Sequence, residues 1–246
     1  SYRGLHDSLV NFLGNEMPQM ILCLHEEHAV AIAHGYAKVT GEPMAVALHS
    51  NVGLMHATMA IFDAWCDRAP VVLLGATGPV DAARRRPWID WIHTANVQGN
   101  AIRDFTKWDD QPVGIDSVPG SFARAYGIMM TEPQGPVYTC YDTQLLETPL
   151  PHKVELPRLG AQRVPTNMAP DDDALSQAAA WLAAARNPVL LADWSSRAPH
   201  GFGDLVKLAE TVQAPVIDIG ARLNFPSHHD LNASLFADAV LNDADL

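Results

Sequence analysis

The chain has 246 residues, 48% of them hydrophobic, and its 28 acidic against 16 basic side chains give a net charge of −12. That length can bury one large core or two modest ones, and the acidic excess excludes a nucleic-acid surface, which needs clustered Lys and Arg. No apolar stretch reaches the roughly 18 residues of a membrane helix and no signal peptide opens the sequence, so no membrane partner and a cytoplasmic location are expected.

The chain opens on a helix-like stretch, Ser1-Tyr2-Arg3 onward, without a preceding strand. Met20 to Leu24 (MILCL) reads as a buried strand and Glu26 to Lys38 as a helix. Glu26 and Glu27 in the first turn, Lys38 in the last and Gly41 beyond it all suit the helix dipole and a C-cap. Met44 to His49 is a second strand, Ser50-Asn51-Val52-Gly53 a turn, Leu54 to Asp67 a helix and Val71 to Ala76 a third strand. A long polar loop follows; its run Arg84-Arg85-Arg86 reads as solvated. Then come a helix from Ser117 to Met130 and a strand from Pro136 to Tyr141. Strands this apolar, alternating with helices, predict an α/β fold with a parallel sheet flanked by helices on both faces.

Residues 147–170 hold Pro149, Pro151, Pro157, Pro165 and Pro170 with little periodicity, as a linker does. Beyond it, Asp172 to Arg186 and Phe202 to Val212 read as helices, Val189 to Ala192 and Pro215 to Ile219 as strands. The expected organisation is a first domain over 1–146, a linker over 147–170 and an incomplete second α/β domain over 171–246. Two strands make too small a sheet to stand alone, so the sequence is expected to be a fragment of a longer chain. The three cysteines have no metal-type spacing, and Cys23 and Cys140 lie in apolar runs, as buried free thiols do. The eleven histidines stand in no metal-ligand spacing backed by carboxylates, so no metal residue is expected.

Glu26 is placed where a strand gives way to a helix, the edge at which open α/β sheets meet their ligands. On spacing alone, a pair of helix-start charges favoured by the dipole is the better account of Glu26 and Glu27. The segment His25-Glu26-Glu27-His28-Ala29 through Gly35-Tyr36-Ala37-Lys38-Val39-Thr40-Gly41 resembles the signature H-E-x-x-A-x-x-x-A-x-G-Y-A-(R/K)-x-T-G of thiamine diphosphate enzymes such as acetolactate synthase and benzoylformate decarboxylase. Asp67-Arg68-Ala69-Pro70-Val71-Val72 resembles a later segment of the same family, and Asn224-Phe225-Pro226 extends the likeness more loosely into the second region.

The resemblance implies a thiamine diphosphate-dependent 2-oxo acid decarboxylase or carboligase. In that family the glutamate at the position of Glu26 hydrogen-bonds N1′ of the cofactor's aminopyrimidine. Leu48-His49-Ser50-Asn51-Val52-Gly53 resembles the L-H-S-x-x-G segment of benzoylformate decarboxylase, which makes His49 a proton-transfer group and tilts the expectation toward a decarboxylase. His93, in Trp91-Ile92-His93-Thr94, is a third catalytic candidate, and Trp88 and Trp91 are either pocket-lining or packing aromatics. Glu26, Ser50, Asn51, Gly53 and His56 are the implied cofactor-binding positions, although His56 stands where several relatives carry Asn. The family holds magnesium and the diphosphate through a downstream G-D-G motif that this sequence lacks, since Leu205 follows Gly203-Asp204. The resemblance thus implies Mg2+ bound by a C-terminal domain absent here, a chain inactive on its own, and a homodimer or homotetramer for the intact protein. A non-catalytic α/β binding or subunit-interaction module is the competing reading, weakened because G-x-G-x-x-G is absent from every strand-to-helix turn.

Overall fold

The computed structural model describes residues 2–158, 169–195, 200–220 and 222–246. The chain divides into two compact units, Ser1–Thr166 and Asn167–Leu246. Of the expected linker over 147–170, residues 159–168 lie outside the described residues.

In the first unit a short helix α1 (Arg3–His6) runs into a π-helical turn, Asp7–Phe12. Then follow α2 (Glu26–Thr40), β1 (Met44–Ala47), α3 (Ser50–Cys66), β2 (Val71–Thr77), the short α4 (Ile89–Ile92), β3 (Trp108–Asp110), α5 (Val118–Met130), β4 (Val137–Asp142) and α6 (Thr143–Glu147). The four strands form one parallel sheet in the order β1-β2-β4-β3, with Val46 opposite Leu73 and Leu73 opposite Tyr138. On one face, α2 and α3 bury Val30, Ala33, Leu54, Ala57 and Ile61 against Val71, Leu73 and Tyr138. On the other, Ala125 and Met129 of α5 pack on Val72 and Val137. The expected α/β architecture, a parallel sheet between helices, is thus present.

Local chemistry accounts for α2. The ring of His25 caps its start, with Nδ1 accepting the Glu27 N–H at 3.1 Å. Glu26 and Glu27 occupy the first turn, and Gly41 ends the helix in the left-handed conformation, φ 75°, returning its N–H to the Ala37 carbonyl. Alanines 57, 60 and 64 give α3 a narrow buried face, so it can lie close to α2. At its far end Asp67 receives Lys38 Nζ at 2.6 Å and pairs with His34 Nε2 at 2.7 Å, tying the two helices together.

Three sequence expectations are corrected. Met20 to Leu24 is not a buried strand: Leu22 is 90% and Leu24 98% exposed, and no ladder is formed. An apolar run becomes a buried strand only beside a hydrogen-bonding neighbour, and among the described residues β1 pairs only with β2. Ser50 to Gly53 is no separate turn but the first turn of α3. The arginine run is not simply solvated: Arg86 clasps the buried carboxylate of Asp90 at 2.8 and 3.0 Å, and Arg85 donates to the Pro79 carbonyl and stacks over Trp91. Of the thiols, Cys140 is buried as expected, whereas Cys23 is half-buried.

The second unit holds α7 (Asp172–Ala184), β5 (Leu190–Ala192), α8 (Gly201–Val212), β6 (Val216–Asp218) and α9 (Ala237–Asn242). β5 and β6 pair in parallel, and Ala192, Ala209, Val216 and Phe225 form a small core. Asp218 anchors the turn after β6 by accepting from the Asn224 side chain and from the backbone N–H groups of Gly220, Asn224 and Phe225.

Candidate active site

α2 and α3 begin side by side, with Glu26 on the first turn of one and Ser50, Asn51 and Gly53 on the first turn of the other. Glu26 is the first residue of α2, and its side chain is 27% exposed, neither sealed inside nor fully in water. Its carboxylate lies against buried Gly53 of α3. A Cβ built at Gly53 would stand 2.9 Å from Oε1, 3.1 Å from Cγ and 3.2 Å from Cδ. Only glycine leaves the carboxylate that bed. On its other side, Oε2 is 3.9 Å from Nδ1 of His56, one turn further along α3, and the ring of His56 stacks on that of His25, centroids 5.0 Å apart.

The second group forms at the β1–α3 junction. His49 precedes α3, and its ring lies 5.1 Å from that of His93. Loss of surrounding water holds the pKa of His49 below the ordinary histidine value; the His93 ring works in the same direction and Glu26 opposes it. At neutral pH, therefore, His49 carries a neutral imidazole, able to accept a proton.

His93 follows α4, and its Nδ1 bonds the Ile89 carbonyl at 2.7 Å, leaving Nε2 as the nitrogen for other partners. The segment carrying it is bound to α3. The buried hydroxyl of Ser50, whose residue adopts φ 54°, bonds the His93 carbonyl, and Asn51 Nδ2 donates to the Ile92 carbonyl at 3.3 Å. Ser50 and Asn51, both expected at the cofactor, are thus engaged by the loop that presents His93. Gly78, just past β2, completes the closure, since a Cβ there would fall on Thr94 Oγ1. Trp88 and Trp91, both more than half exposed, project from the same loop and are not core packing.

The expected residues therefore form two adjoining groups, Glu26–Gly53–His56 and His49–Ser50–Asn51–His93. Sequence reasoning missed His25, which caps α2 and faces both Glu26 and His56; its place directly before a capped helix was the available signal. It also missed Asp90, buried and held below the usual carboxylate range by the Arg86 guanidinium, which secures the loop carrying His93. An apolar cavity lined by Tyr2, Leu5, Leu74, Phe122, Tyr141 and Leu146 includes none of the expected site residues.

Residues 3–101 match the family described as thiamine pyrophosphate enzyme, N-terminal TPP binding domain. The chain is 29% identical to benzoylformate decarboxylase of Pseudomonas aeruginosa over 92% of its length and 44% of that protein, and 24% identical to acetolactate synthase of Bacillus subtilis over 86% and 36%. Among solved structures, a thiamine diphosphate-dependent 4-hydroxybenzoylformate decarboxylase of Rhodococcus jostii superposes with a TM-score of 0.75 at 25% identity, over 90% of this chain and 42% of that one. A benzoylformate decarboxylase of Polynucleobacter necessarius does so with 0.75 at 28%, over 91% and 41%. The chain thus spans less than half the length of these relatives.

Proposed function

From the match of residues 3–101 to the N-terminal TPP binding domain of thiamine pyrophosphate enzymes, we propose that the chain is of that family and forms the aminopyrimidine side of an active site that decarboxylates a 2-oxo acid. Carboligation in the acetolactate synthase manner is the related outcome of the same chemistry. The reading is carried by one observation: the partly exposed Glu26 carboxylate bedded on Gly53, at the start of α3.

The residues present fit the cofactor's aminopyrimidine end. Glu26 offers an accessible carboxylate that can share a proton with a ring nitrogen, and Gly53 leaves it room to do so. His56, exposed at the edge of this group, offers a ring that can border the same ligand. When bound, thiamine diphosphate supplies the carbon nucleophile and the electron sink for loss of carbon dioxide. His49, neutral at physiological pH, accepts a proton from the substrate side or returns one to the product. His93 faces it across a short gap, and Ser50 and Asn51 act by fixing the loop that carries His93. Trp88 and Trp91, exposed on the segment that carries His93, are available to line the substrate side.

Diphosphate and Mg2+ are assigned to a region outside this sequence, which has no G-D-G motif, and the complete site to an assembly of at least two subunits. Among the described residues no helix is long and apolar enough to cross a membrane.

The test is Glu26→Gln in the intact protein, assayed for carbon dioxide release from a panel of 2-oxo acids that includes benzoylformate. Turnover is expected to be nearly abolished while the circular dichroism spectrum is unchanged. Wild-type turnover would overturn the assignment.

A further inference from the structure

The histidines around Glu26 exceed what an aminopyrimidine partner requires. One nitrogen of His25, one of His56 and one carboxylate oxygen of Glu26 lie within 4.8 Å of one another. The two rings are stacked, with their planes 26° apart and their centroids 5.0 Å apart. His56 stands on α3 and His25 and Glu26 at the start of α2, so the cluster is set by the packing of two helices and not by one flexible loop. Two imidazoles and a carboxylate are the ligand set of open zinc sites, with the remaining positions left to water.

We propose that His25, Glu26 and His56 bind a divalent transition-metal ion of the zinc class, and that metal and thiamine diphosphate exclude each other because both need the Glu26 carboxylate. The second half rests on the function proposed above. A tetrahedral ion brings its ligand atoms to about 3.3 Å from one another, so a cluster spread over as much as 4.8 Å must contract by up to about 1.5 Å. The side chain of His56 is 54% exposed and can make that movement by rotating. His25 must give up its present role, since Nδ1 accepts the Glu27 N–H and a neutral imidazole has only one lone pair to offer. The lost cap lowers metal affinity by about fivefold. Glu26 gives up nothing in the resting protein and loses its place at the cofactor only when the ion is bound. His56 supplies the third ligand.

The test is calorimetric titration of ZnCl2 into the intact, chelator-treated protein without cofactor. One site per chain is expected, weakened at least about tenfold in His56→Ala and unchanged in His93→Ala, with circular dichroism confirming that both variants fold. His56→Ala binding Zn2+ as the wild type does would overturn the metal site whether or not Glu26 serves the cofactor. A repeat with thiamine diphosphate and Mg2+ in place is expected to weaken Zn2+ at least about tenfold. Zn2+ that depends on His56 but is indifferent to the cofactor would overturn the shared carboxylate, while the role of Glu26 at the aminopyrimidine is decided separately by turnover in Glu26→Gln. Loss of turnover in Glu26→Gln together with Zn2+ binding that ignores His56 would leave that role standing and remove the metal.

Discussion

Gly53→Ala isolates the contact on which the functional reading depends. The new Cβ would stand 2.9 Å from Oε1 and 3.1 Å from Cγ of Glu26, about 0.5 Å inside ordinary contact distances. Since Gly53 lies within α3 and its φ is not in the left-handed region, alanine is otherwise the better residue there, by up to about 1 kcal/mol of helix propensity. The two effects act on different observables. Helix propensity acts on the melting temperature, which is expected to stay within a few degrees of the wild type. The displaced carboxylate acts on turnover: a misplacement of about 1 Å can cost about a hundredfold, so a shift of about half that is expected to lower kcat about tenfold. Steady-state carbon dioxide release, thermal unfolding and a double-mutant cycle with Glu26→Ala provide the readout. With Glu26 truncated, Gly53→Ala has nothing to displace and is expected to stabilise the protein. Full turnover in Gly53→Ala, or an unfolding penalty that persists beside Glu26→Ala, would refute the proposed bed for the carboxylate.

Other consequences are simpler to state. The pKa of His49 is depressed, so its imidazole stays neutral below the ordinary histidine range of about 6.5; the acid limb of the rate profile is expected below that pH and should vanish, together with most of the activity, in His49→Asn. At Asp67, burial alone would raise the pKa, but hydrogen bonds from Lys38 and His34 outweigh it and hold it below the ordinary carboxylate value. Its stabilisation is therefore fully present above the unfolded pKa and lost as pH falls through the folded one, and Asp67→Asn should flatten the acid side of a stability-against-pH curve. Leu54→Ala removes a fully buried side chain between α3 and the sheet and is expected to cost about 2–5 kcal/mol in denaturant unfolding. Asp90→Asn should loosen the loop carrying His93, lowering turnover with little change in global stability, as hydrogen exchange at 88–94 would show.

Much of the fold was legible because apolar runs and their spacing decide it locally. Val71 to Ala76 and Pro136 to Tyr141 read as strands and are strands, and the start and stop of α2 follow from Glu26, Glu27 and Gly41. The misreadings share a cause, which is dependence on a partner distant in sequence. Trp108 to Asp110 is a strand because β4 lies beside it, although two of its three residues are aspartates. Met20 to Leu24 is as apolar as a strand can be and takes no strand conformation. The site divides in the same way. Glu26 and His49 stand out because helix starts and strand ends are local signals, but that the hydroxyl of Ser50 meets the His93 carbonyl, 43 residues away, follows only from the packing of α3 against the loop beyond β2.

That packing also explains why two reactive groups stand so near each other. Successive units of a right-handed parallel sheet bring each helix start to the same edge, so the first turn of α3 receives Glu26 from α2 on one side and His49 from β1 on the other. The residues between them are then constrained by geometry and not by chemistry of their own: Gly53 must lack a side chain, Ser50 must turn its hydroxyl inward to bind the loop, and Leu54 must be buried to hold the helix down. A carboxylate and a neutral imidazole held this way keep their spacing whether or not a ligand is bound, because neither is supported by the other. Removing either one should leave the other in place, which is why the Glu26 and His49 variants are expected to lose different steps of one reaction and not the structure of the site.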